Sequence, residues 1–172
     1  MSVLLLPDAG PLITLAYADA LDLLLKPGWS VHLVDMVLHE VTRNETPTSA
    51  AISRWVTLQG LPVIPTNTFQ HHLQQLKTVP EEARTANLGE IAIQEVMNSH
   101  ALQGSLTTGV FLFEDHRIAS ARFLLPDNCR KVSTRAFLSF LEETRAIPSA
   151  LAVERRAIQN GRHFSRLRFP PT

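Results

Sequence analysis

The sequence predicts an α/β domain in which a parallel sheet is covered by helices on both faces. Three observations lead there. Short apolar runs, too brief to be helices, recur along the chain; segments with helical apolar spacing fill the intervals between them; and 172 residues suit one domain with a sizeable core.

Residues 3–8, VLLLPD, are the first such run, stopped by Pro7 and Gly10. A helix is expected over 11–25, where Leu12, Leu15, Ala16, Ala20, Leu23 and Leu24 share a face and Pro11 suits the first turn. The KPG turn at 26–28 ends it. VHLVD (31–35) is the second strand, followed by a short helix over 36–44. Thr48 or Ser49 is placed to cap a helix reaching Val56. LPVIP (61–65) reads as a third strand, and its prolines favour a sheet edge. Helices follow over 67–77 and 81–99. TGVFLFED (108–115) is the most hydrophobic strand, HRIASARFLL (116–125) a short helix, and RKVS (130–133) a fifth strand. Helices over 134–145 and 148–160 are divided by Ile147-Pro148.

Composition narrows the function classes. Hydrophobic residues make up 45% and charged ones 19%, which suits a folded chain and not a disordered one. Lys plus Arg number 16 and Asp plus Glu number 16, so any nucleic-acid role needs a local basic patch. The single cysteine, Cys129, excludes an internal disulfide, fits a reducing cytoplasm, and reads as a packing residue. The N-terminal apolar stretch lacks a basic flank and is interrupted by Asp8, Pro11, Asp19 and Asp22, so no membrane span is expected. No phosphate-binding G-x-x-x-x-G-K-[ST] loop, zinc-ligand spacing or G-x-S-x-G elbow is present. His71-His72 lies on a polar helix and reads as a solvated face.

The acids carry the chemistry. In a parallel sheet, ligands sit beyond the carboxyl ends of the strands. Asp8 ends the first strand, Glu40 lies on the helix after the second, and Glu114-Asp115 end the fourth. Glu90 stands at i−3 and i−7 from Ile93 and Met97, so it borders an apolar stripe, where a carboxylate is costly without a cation or donor. Each acid alone also fits a helix cap or a solvated position. Together they form a set of hard oxygen donors suited to Mg²⁺, and such a pocket can position water for phosphodiester hydrolysis.

The blocks LLLPDAGPLITLA, LVDMVLHEVTRN, NLGEIAIQEVM and VFLFEDHRIASARF, in that order, resemble the successive blocks of PIN-domain ribonucleases. The closing stretch VSTRAFLSFLEETRAIPSA is similar to the toxin-related branch of that family. The resemblance covers roughly residues 3–150. It implies a three-layer α/β/α sandwich with a short parallel sheet of four to five strands. Residues 1–150 would be the nuclease domain, with a C-terminal basic helix and tail at 151–172 belonging to the same domain. It also implies Mg²⁺- or Mn²⁺-dependent endoribonuclease activity, homodimers and, for a toxin, a cognate antitoxin. Carried over, Asp8, Glu40, Glu90 and Asp115 are the catalytic acids, with Asp8, Glu90, Asp115 and Glu114 on the metal. Asp115 is preferred to Glu114 for the fourth position. Family members often carry Ser or Thr two residues after the first acid; here the residue is Gly10. An arginine often follows the paired acids, and Arg117 and Arg122 straddle that place. These two, with Arg155 and Arg156 of the arginine-rich C-terminal segment, are the expected RNA contacts. The alternative is a PIN-like module that binds RNA or a protein without cleaving it.

Overall fold

The computed structural model describes residues 2–83, 87–102, 106–114 and 125–163. The expected helix at 116–125 and the tail beyond His163 lie outside those residues, apart from Leu125, which belongs to no helix.

The first strand, β1 (Val3–Pro7), is buried from Leu4 to Pro7, as a strand covered on both faces must be. It pairs in parallel with β2 (Ser30–Val31) on one side and with β5 (Thr108–Phe113) on the other. Beyond β5 lies β6 (Cys129–Ser133), also parallel, so the sheet order is β2-β1-β5-β6. The expected third strand is part of a separate two-stranded piece, in which β3 (Leu33–Val34) pairs with β4 (Val63–Ile64). Thus VHLVD, expected as one strand, splits at His32. Val31 stays on β1, while Leu33 N–H turns to the carbonyl of Pro62 at 2.9 Å.

Helices cover both faces. On one, α1 (Ala9–Tyr17), α6 (Thr134–Glu143) and α7 (Ala150–Gln159) pack in succession. On the other, α5 (Leu88–Leu102) packs on β5, α2 (Asp35–Thr42) and α4 (Asn67–Thr78), while α3 (Pro47–Gln59) lies against α1 and α2. The result is an α/β/α sandwich with a four-stranded parallel sheet. Phe111, Phe137, Leu5, Leu6, Ile93 and Met97 are among its fully buried side chains. Among the described residues, no helix is long and apolar enough to cross a membrane.

Several boundaries move for local reasons. The expected helix over 11–25 ends at Tyr17, turns through Asp19 at φ +50°, and resumes as a 3₁₀ turn over Leu21–Leu25. Cap chemistry starts α3 two residues early: Thr46 and Ser49 form a reciprocal capping box around Pro47, a residue suited to the first turn. The helix expected over 81–99 becomes a 3₁₀ turn at Pro80–Glu82 followed by α5. Asp35 does not end a strand. It opens α2 and accepts hydrogen bonds from Met36 N, Thr66 N and Thr66 Oγ1, tying α2 to the start of α4.

The solvated reading of His72 is also corrected. Its side chain is 2% exposed and packs on His39 of α2, with ring centroids 5.6 Å apart, whereas His71 is exposed. A polar-looking helix has turned one histidine inward because α4 packs against α5 and α2. Cys129 is buried, as expected of a packing residue, and burial pushes its thiol pKa up.

Candidate functional site

The first corner of the site is where β1 and β5 end side by side. Strand order diverges there, because the chain leaves β1 for one side of it and returns as β5 on the other, which opens a crevice. Asp8 follows β1, its N–H still bonded to the Leu112 carbonyl at 2.9 Å. It occupies the N-cap position of α1, yet its side chain makes no capping bond. The simplest structural role for this carboxylate, closing α1, is therefore not the one it plays.

Glu40 comes to the same place from the last turns of α2. Its Oε1 accepts a 3.1 Å hydrogen bond from the N–H of Gly89 in the first turn of α5. A Cβ on Gly89 would stand 2.7 Å from Glu40 Oε2 and 3.3 Å from Asp8 Oδ1. Both carboxylates thus press against one glycine, and a larger residue there must push them away. The N-terminus of a fifteen-residue helix carries partial positive charge and suits anions. Glu90, the next residue, adds a third carboxylate. Its predicted border position is confirmed: it is half-buried, while Ile93 and Met97 are fully buried.

The electrostatics record this convergence. Burial raises the Glu40 carboxyl pKa most, Asp8 raises it next and Glu90 adds to the rise, against the Gly89 N–H and Arg43, leaving it at about 7. A carboxyl so displaced marks a place where negative charge is concentrated. The oxygen donors of Asp8, Glu40 and Glu90 suit a hard cation such as Mg²⁺ or Mn²⁺, and a cation would replace their mutual repulsion with attraction. Among the described residues, however, no three His, Cys, Asp or Glu side chains close on one point as a metal site. Asp115, expected as the fourth acid, lies outside the described residues, as do Arg117 and Arg122.

Glu114 has a different setting. It is 6% exposed, and both its oxygens lie 2.7 Å from Thr14 Oγ1, the hydroxyl that donates to it from α1. Arg162 Nη2 donates to its Oε2 at 2.9 Å, and Arg162 Nε donates to Thr14 Oγ1 at 2.9 Å. A Cβ on Gly10 would come within 2.8 Å of Glu114 Cβ. Gly10 thus provides the room into which Glu114 folds.

The structure therefore brings Asp8 and Glu40 together at Gly89, with the Glu90 charge felt by Glu40, and engages Glu114 with a buried hydroxyl and a guanidinium. Of the expected RNA contacts, Arg155 is exposed on α7, while Arg156 Nη1 is spent on the Ala18 carbonyl at 3.2 Å. Thr14 and Arg162 were not singled out by sequence reasoning. Thr14 carried a signal, a lone hydroxyl within the apolar face of α1. Arg162 carried only its membership of an arginine-rich segment. Glu40 and Arg162 also share a cleft of about 250 Å³, lined in addition by Tyr17, Asn44, Thr46 and Thr48.

Compared with known proteins, the chain matches no family model, no curated protein and no solved structure.

Proposed function

We propose that this chain is an Mg²⁺- or Mn²⁺-dependent endoribonuclease of the PIN type, acting in the cytoplasm as the toxin of a toxin–antitoxin pair. The observation that carries the reading is the meeting of Asp8 and Glu40 over Gly89, with Glu40 titrating near 7. Asp8, Glu40 and Glu90 would hold the cation, together with Asp115. When bound, the cation supplies neutralisation of phosphate charge and activation of water. The chain's own residues do the rest. The α5 N-terminus orients Glu40 through Gly89 N–H. The cleft beside Glu40 gives a strand a place to lie, with Arg162 on its wall to meet phosphate. RNA contacts at Arg117, Arg122 and Arg155, a homodimer and a neutralising antitoxin belong to the same reading.

The test is cleavage of a single-stranded RNA with Mg²⁺ or Mn²⁺, with chelator as control. D8N, E40Q, E90Q and D115N are each expected to lose about 10²-fold or more in rate. One observation favours a second reading, a PIN-like module that binds RNA or protein without cutting. Glu114, one of the expected cation ligands, is already paired with Arg162. Wild-type chain that binds RNA but cuts none with either metal would establish that module instead.

A further inference from the structure

We propose that Thr14 and Glu114 are positioning residues: together they grip one edge of the Arg162 guanidinium, so that its opposite edge is set to take a phosphate of a single RNA strand lying in the cleft. The proposal rests on the RNA reading above and asks nothing of the cation.

The grip is built from buried groups. Thr14 is wholly buried on α1, and Glu114 is 6% exposed. The Thr14 hydroxyl donates to Glu114 at 2.7 Å and accepts from Arg162 Nε at 2.9 Å, while Arg162 Nη2 donates to Glu114 Oε2 at 2.9 Å. Nε and Nη2 form one edge of the guanidinium plane, and both are bonded to groups inside the fold. A guanidinium carries five N–H donors in a rigid plane, and that plane offers two such edges, each matched to a pair of oxygens. The second edge, Nη1 with the outer hydrogen of Nη2, is directed by that planarity away from Thr14.

The backbone of the arginine is held as well. Gly161 turns the chain at φ +110°, a conformation that favours glycine, and the Arg162 N–H then donates to the Ala157 carbonyl at 2.9 Å. Just before it, Asn160 Nδ2 donates to the Tyr17 carbonyl at 2.7 Å, which ties the segment to the carboxyl end of α1. Arg162 thus stands on the wall of the cleft of about 250 Å³, with its side chain 20% exposed. A mobile arginine loses rotamer freedom when it captures a ligand, whereas one already fixed by its own fold avoids most of that cost. A phosphate presents paired oxygens, and a bidentate guanidinium meets them with direction as well as charge. Glu114 and Thr14 therefore act on RNA through Arg162 and not by touching it.

The test is fluorescence anisotropy of a labelled single-stranded RNA titrated with the full chain, with chelator present so that neither cation nor cleavage contributes. R162Q is expected to bind about tenfold more weakly than wild type, the scale of one charge-assisted contact, and to lower the salt slope by about one. R162K, which keeps the charge without the fork, recovers the salt slope but not the affinity. T14V is expected to bind about threefold more weakly, T14S to return to wild type, and T14V to add nothing in an R162Q background. E114Q is also expected to weaken binding about threefold, although it removes a negative charge. R162Q at wild-type affinity, a T14V loss that adds to that of R162Q, or an E114Q that binds more tightly overturns the proposal and leaves the RNA reading standing. A wild type that binds no RNA overturns both. A second measurement needs no substitution: RNA at about ten times its Kd is expected to slow tryptic cleavage after Arg162 about tenfold, read by mass spectrometry. An unchanged rate also overturns the proposal.

Discussion

Glu40 reaches from α2 to the backbone of Gly89, whose N–H it holds at 3.1 Å, and thereby joins two helices through residues 49 positions apart. The glycine is there because the acids are. A methyl group at position 89 would meet Glu40 Oε2 at 2.7 Å and Asp8 Oδ1 at 3.3 Å. G89A is therefore expected to bind Mn²⁺ about tenfold more weakly or worse. Its melting temperature should shift by only a few degrees, because alanine's helix advantage of about 1 kcal/mol offsets part of the crowding. Calorimetry and thermal melts separate the two effects. Wild-type affinity in G89A would remove this corner from the proposed cation pocket.

Glu40 also makes stability depend on pH in a specific direction. Its carboxyl titrates near 4.5 when unperturbed and near 7 in the fold, raised by burial and then by Asp8. Between those values the folded state keeps a proton that the unfolded chain has released, so stability falls as pH rises from about 4.5 to 7. E40Q abolishes the penalty. It should be more stable than wild type by about 1–2 kcal/mol at pH 8, discounted for partial exposure, and close to it at pH 4. Urea unfolding at both values measures the gap, and a gap that does not widen with pH contradicts the assignment.

Glu95 has the opposite dependence. Burial pushes its carboxyl upward, but hydrogen bonds from the Asn67 and Thr68 N–H groups and the Thr68 hydroxyl together bring it below its usual value. Its stabilisation is present above the unfolded value of 4.5 and is lost as pH falls through the lower folded value. E95Q should cost about 1 kcal/mol at pH 7 and less near pH 2. Denaturant midpoints at the two pH values decide it.

Gly109 is the second residue of β5 and lies between Met97 of α5 and Cys129 of β6. A Cβ there would lie 2.7 Å from Met97 Sδ and 2.8 Å from Cys129 Sγ. G109A is expected to destabilise by about 1–3 kcal/mol through overpacking, with part of the loss recovered in the G109A/C129A double variant. Thermal unfolding of the four proteins in that cycle provides the coupling. Additive losses would show that the sulfur of Cys129 is not what the new methyl meets.

The sequence by itself determined the order of strands and helices, the parallel character of the sheet, and the placing of Glu90 at the edge of a buried stripe. Those properties are local: apolar period, run length and turn residues record which side of each element is buried. Only the tertiary structure decided what meets what. It sent Val31 to β1 and Leu33 to β4 within one five-residue run, turned His72 onto His39, and set Asp8 and Glu40 against the same glycine. It also folded Glu114 over Gly10 toward Thr14 and Arg162. Partners 100 and 48 positions away leave no periodic trace in the chain. Their meeting depends on how helices lie on the sheet, which is settled by the packing of the whole core and not by any one segment.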